Sequence, residues 1–156
     1  MITSSEGAAL HLERLRERSD DFDPDVRDRL IAGALVPGSA VLKAQKFRRW
    51  FRSAVLRLFE KVDAILAPAT PCVAPVIGQK TLRLDGEEMP LRPNIGIYTQ
   101  PISFIGLPVV AVPIPGTQGL PIGVQIIAAP WREDIALRLS HHLERAGVVR
   151  APLPPG

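Results

Sequence analysis

The sequence predicts an α/β protein in which helices come first, strands follow and one helix closes the chain, an order with an α+β look. Three observations carry this. Residues 1–62 place apolar side chains at helical spacing. Beyond Asp63 the spacing changes to short β-rich runs, several of them continuously apolar, as strands covered on both faces are. Asp134 to Ala146 then returns to helical amphipathicity and stops at Gly147.

Taken in order, Ser4 or Ser5 is expected to cap a first helix that runs to about Arg18, with Ala8, Leu12 and Leu15 on one face. Asp23-Pro24 opens a second helix, Asp as N-cap and Pro at the first helical position, ending near Pro37-Gly38. Ser39 opens the longest helix, to about Val62. Phe47, Trp50, Phe51, Ala54, Val55, Leu58 and Phe59 form its core-like face, and Lys43, Lys46, Arg48, Arg49, Arg52, Arg57 and Lys61 its basic one. Ala64 to Ala67, closed by Pro68, reads as a buried strand, and Pro68 to Gly78 as a proline-rich loop. Thr81 to Leu84 alternates, and Asp85-Gly86 is a hairpin signal. Val109 to Val112 and Gly123 to Ile127 are strands joined by a hairpin loop from Pro115 to Pro121. Ala151 to Gly156 reads as a loose tail. These short strands, some needing cover on both faces, ask for more sheet than 156 residues supply, which points to part of something larger.

A 46% hydrophobic content supports a core, and 22% charged residues argue against disorder. The net charge of +3 permits an anionic substrate without demanding nucleic acid. Cys72 is the sole cysteine, so no intrachain disulfide forms and a reducing compartment is expected. Met1 to Glu6 lacks the basic start and apolar run of a signal peptide. No apolar stretch reaches the roughly 18 residues a membrane span requires. A soluble cytoplasmic protein with neither nucleic acid nor membrane as partner is the expectation.

The usual carriers of chemistry are absent from the sequence: no C-x-x-C, H-E-x-x-H or G-x-S-x-G, and no glycine-rich phosphate loop. His141 and His142 are adjacent on a helix and point about 100° apart, so they cannot share a metal. His11 has only Glu6 and Glu13 near it in sequence. Cys72 has no identifiable base and reads as a packed or loop cysteine rather than a nucleophile. The basic face from Lys43 to Lys61 could grip an anionic polymer. Its aromatic residues lie on the opposite side and do not interleave for base stacking, so a solvated face is the stronger reading. No metal and no cofactor are implied.

Five segments, in this order, resemble the amidase-signature family: Ala44-Gln45-Lys46-Phe47-Arg48; Asp63 to Pro71; Tyr98-Thr99-Gln100-Pro101; Gly106 to Pro113; and Gly119 to Gln125. The match runs from Ala44 to Glu144, and Glu6, His11 and Asp23-Pro24 fall where the family's preceding helices lie, so it takes in nearly the whole chain. Thr99 to Pro108, followed by Ala128 to Asp134, looks most like the 1-carboxybiuret and allophanate-type amidohydrolases. The resemblance implies that residues 1–150 form the C-terminal portion of a single amidase domain, a large mixed sheet with flanking helices, and that 151–156 are a tail.

The family resemblance further implies hydrolysis of a C–N amide bond by a Ser–cis-Ser–Lys triad, with an oxyanion hole near a Gly-Gly-Ser-Ser segment. This chain has no Gly-Gly, and its only Ser-Ser, Ser4-Ser5, lacks the glycines. No catalytic residue carries over, and the chain alone is expected to be inactive, completed by a missing N-terminal half or another subunit, with a homodimer left open. Substrate contacts carry over instead: Arg48 as a clamp for a carboxylate, with Tyr98, Thr99 and Gln100 at the pocket. Where related amidotransferase subunits have an aspartate that meets the substrate's ammonium, this sequence has Gly96. That departure suits a small carboxylated amide without an α-ammonium, such as a biuret. The non-enzymatic alternative is a module that binds an anionic partner through the basic helix 43–61.

Overall fold

A computed structural model of the chain describes residues 1–116 and 119–151. They form two compact units, Met1–Arg52 and the described residues from Ser53 onward. Among the described residues no helix is long and apolar enough to cross a membrane.

In the first unit, helix α1 (Ile2–Glu17) packs against α2 (Pro24–Ala34). Ile2, Ala8 and Leu15 are buried. The expected serine cap of α1 is not formed: the helix begins earlier, at Ile2, and no side chain caps it. The Ser5 hydroxyl instead donates to the carbonyl of Gly33 on α2, at 3.2 Å. Asp23 caps α2 as its sequence predicts, Oδ1 accepting from the N–H groups of Asp25 at 3.0 Å and Val26 at 3.3 Å. The helix ends at Ala34, shorter than expected, because Pro37 disfavours helical geometry at the residue before it.

Helix α3 (Gly38–Leu56) is the longest, continued by a 3-10 turn over Arg57–Glu60. Phe47 stacks on Phe51 at 6.1 Å between ring centroids and lies 5.5 Å from Trp50. The core-like reading of this stripe needs correction: Trp50 is 62% exposed, and Phe47 is exposed too. Helical periodicity identifies a face that can be buried but not what covers it.

In the second unit, β1 (Ala64–Pro68), β4 (Val109–Pro115) and β5 (Pro121–Ala128) form an antiparallel sheet in the order β1-β5-β4. A separate hairpin joins β2 (Thr81–Leu84) and β3 (Glu87–Pro90). Its turn residues Asp85 and Gly86 have φ of 52° and 82°. Both lie in the left-handed region that a two-residue hairpin turn demands. Short helices α4 (Leu91–Asn94) and α5 (Gln100–Ile105) follow, and α6 (Glu133–Arg145) closes the unit.

Helix α6 covers one face of the larger sheet. Ile135 and Ala136 meet Val112, Ile126 and Ala128, with Val149 completing the cluster. The central strand β5 is buried from Gln125 to Ala128. The strands beside it are not buried as expected. Leu66 on β1 is 57% exposed, and β4 turns Val109 and Ala111 to the surface. Each is an edge strand among the described residues, so an apolar run that looked covered on both sides is covered on one. The β4–β5 connection is a hairpin with Pro115 opposite Pro121 as its last pair, and within the expected loop Thr117 and Gln118 lie outside the described residues. Of the expected tail, residues 152–156 lie outside them as well.

Candidate functional site

The segment from Gly96 to Gln100 is built around one carbonyl. Gly96 O accepts from Thr99 N–H at 3.2 Å, Gln100 N–H at 2.9 Å and the Thr99 hydroxyl at 3.3 Å. A Cβ placed on Gly96 would sit 3.0 Å from Gln100 Nε2 and 3.3 Å from its Cγ. The absent side chain at residue 96 is therefore the room in which the Gln100 carboxamide folds back. Thr99 is the N-cap of α5, and Pro101 occupies the first turn, where its missing N–H costs nothing. Gly106 ends the helix in the left-handed conformation, φ 65°, and the chain turns through buried Leu107 into β4. Tyr98 and Gln100 are exposed at the surface and Thr99 is half-buried. The structure thus brings together three of the four residues expected at a pocket, as consecutive positions of one braced turn.

The fourth, Arg48, lies on α3 in the first unit and is half-buried, with neighbours of its own. Ser5 of the Ser4-Ser5 pair donates its hydroxyl to the Gly33 carbonyl, a helix-to-helix contact. Cys72 is half-buried, and its carbonyl accepts from the Thr70 hydroxyl at 2.8 Å, a local turn contact. His11 stands edge-on to Phe22 at 5.9 Å, and His141 Nδ1 lies 3.9 Å from Glu144 Oε2 with both side chains exposed. Among the described residues no three His, Cys, Asp or Glu side chains gather as metal ligands.

Arg132 and Asp134 form a close exposed pair at the start of α6, Nε to Oδ1 3.0 Å. The hydrogen bond from Arg132 holds the Asp134 carboxyl below its ordinary range, and the same bond raises the Arg132 guanidinium. The pair is an opening clasp for the helix. Sequence reasoning passed over Gln125 as a functional residue. It is 2% exposed, and its Nε2 donates to Pro68 O at 2.7 Å and to Tyr98 O at 3.1 Å. The available signal was a lone amide in the apolar run Gly123 to Ile127.

Residues 6–137 match the Amidase family. This chain belongs to the amidase family. The chain is 49% identical over 152 residues to AtzE, a 1-carboxybiuret hydrolase subunit of Pseudomonas sp. (strain ADP), covering 96% of this chain and 33% of that protein. It is 38% identical over 150 residues to a glutamyl-tRNA(Gln) amidotransferase subunit of Geobacter metallireducens, covering 91% and 30%. In structure it superposes on an inhibitor-bound s-triazine catabolic enzyme from a vestigial protein complex, with a TM-score of 0.92 and 47% identity, over 97% of this chain and 34% of that one. A second amidase gives 0.86 and 29%, over 92% and 33%. The amidase-signature fold and its mixed α/β class are thereby borne out. The chain spans about a third of the length of the curated relatives it matches.

Proposed function

We propose that these residues belong to an amidohydrolase that hydrolyses a C–N amide bond of a small, carboxylated, biuret-like substrate. In that reading residues 1–150 are the C-terminal portion of a single amidase domain and 151–156 its tail. They supply substrate contacts, and the Ser–cis-Ser–Lys triad comes from outside this sequence, on the same polypeptide or another subunit of a cytoplasmic enzyme. The observation that carries the proposal is the 49% identity to a 1-carboxybiuret hydrolase subunit, held together with the lack of any Gly-Gly-Ser-Ser segment in these residues. Arg48 clamps the carboxylate, since its planar fork matches two oxygens at once. Tyr98, Thr99 and Gln100 line the amide, and Gly96 leaves no carboxylate to attract an ammonium. The alternative, a basic-helix module for an anionic partner, leaves the loop and strand matches unexplained.

The test compares Arg48→Lys, Arg49→Lys and Arg52→Lys, built singly in the complete enzyme. Losing a charge-assisted contact costs about 1.5–3 kcal/mol, or roughly ten- to a hundredfold in kcat/KM. Arg48→Lys should raise KM strongly for a carboxylated substrate and much less for a neutral amide, while the other two change little. Equal, small effects at all three positions would refute the clamp.

A further inference from the structure

Gln125 is the buried polar side chain of the described core, and its setting is specific. Its cross-strand neighbours are Ala67 on β1 and Ala111 on β4, so small residues flank it on both sides. Its two acceptors, Pro68 O and Tyr98 O, are both backbone carbonyls. Only a group with two N–H donors satisfies both; a carboxylate or a thioether of the same length satisfies neither. An amide left unbonded in this position would be costly to bury. Pro68 is the last residue of β1, whereas Tyr98 belongs to the turn that carries Thr99 and Gln100. One side chain on the rigid central strand therefore fixes a surface turn from beneath, while Gly96 braces it from within.

We infer that Gln125 is a positioning residue that holds Tyr98-Thr99-Gln100 in the orientation that meets substrate. This rests on the proposed reading of those three residues as substrate contacts. The clamp acts on the backbone carbonyl of Tyr98, so its loss lets the turn move without removing any group that touches substrate. Binding suffers more than turnover.

Tyr98 is the sole tyrosine, so chain labelled with 3-fluorotyrosine reports on this turn through a single ¹⁹F resonance. Gln125→Met keeps length and removes both donors. Gln125→Glu puts acceptors against acceptors. Both should shift and broaden the resonance, Glu more than Met, with helix content by circular dichroism unchanged. A Gln125→Met resonance as sharp and unshifted as wild type would overturn the clamp. In the complete enzyme Gln125→Met should raise KM about tenfold with kcat changed less than about threefold. Thr99→Val separates the two readings. If Thr99→Val raises KM and Gln125→Met does not, the positioning role fails alone. If neither moves KM, the substrate-contact reading fails and the role of the clamp in binding falls with it. If a variant does not fold, the wild-type side chain gives the answer: the Gln125 NH₂ protons should exchange with solvent more slowly than those of Gln45, Gln79 and Gln100, and fast exchange would overturn the inference.

Discussion

Gly7 and Gly33 both sit inside helices of the α1–α2 pair, and replacing each by alanine should move stability in opposite directions. Alanine gains about 1 kcal/mol over glycine in a helix interior, a gain that applies to Gly7 and at most in part to Gly33, the next-to-last residue of α2. At Gly7 the new Cβ would lie 2.8 Å from Leu30 Cδ2, the tip of a flexible, half-buried side chain. A rotamer change relieves this contact, so Gly7→Ala should be neutral or stabilising by up to about 1 kcal/mol. At Gly33 the new Cβ would press on the Ser4 backbone carbonyl and lie 2.9 Å from Ser4 Cβ. Backbone cannot swing aside, so the helices must separate, and forced overpacking costs about 1–3 kcal/mol or more. Separation also stretches the Ser5–Gly33 bond of 3.2 Å, whose net contribution is about 0.5–1.5 kcal/mol. With the propensity gain subtracted, Gly33→Ala should be destabilising by about 1–3 kcal/mol. Urea denaturation followed by far-ultraviolet circular dichroism measures both variants against wild type. A Gly33→Ala variant no less stable than Gly7→Ala would refute the close-approach argument.

Two further outcomes follow from the second unit. Ile126 is 0% exposed at the centre of the sheet, so Ile126→Ala should cost about 2–5 kcal/mol, whereas Leu66→Ala on the exposed edge strand should stay within about 0.5 kcal/mol; denaturant midpoints of the two decide it. The depressed Asp134 pKa means that its contribution is present above the ordinary aspartate range and is lost as pH falls through the folded-state value. Asp134→Asn should therefore melt slightly below wild type at neutral pH, with the gap closing on acidification. A gap that widens towards acid would contradict the assigned pairing.

What the sequence disclosed was what neighbouring residues settle among themselves. Asp23-Pro24 and Asp85-Gly86 are local signals, since a cap or a two-residue turn depends on atoms a few positions away, and both formed where expected. The end of α6 at Arg145, with Gly147 left-handed at φ 72°, is of the same kind. The exposure of Trp50 and Leu66 was not legible, because periodicity carries no record of what lies opposite a face. Nor was the order β1-β5-β4, which sets Ala64 beside Ala128 across a long stretch of intervening chain. At the candidate site, Tyr98-Thr99-Gln100 stood out as a motif, but the support beneath it did not. Gln125 meets Tyr98 through backbone carbonyl chemistry that no spacing rule encodes.

The outer margins of the three-stranded sheet differ in a way that gives it a direction of growth. Pro108 O accepts from Ala128 N–H at 3.0 Å, so the even-numbered residues of β4 bond to β5 and the odd-numbered ones face outward. Pro113 and Pro115 are among those outward positions and have no N–H to offer, which leaves Val109 and Ala111 as the donors on that margin. On the other side Ala69 N–H bonds to Gly123 O at 2.8 Å, so Ala64 and Leu66 present their N–H groups away from β5. An added strand would find the far half of β4 blunted. Lateral addition can proceed along β1 or the first residues of β4, so misassembly of an exposed sheet would begin there.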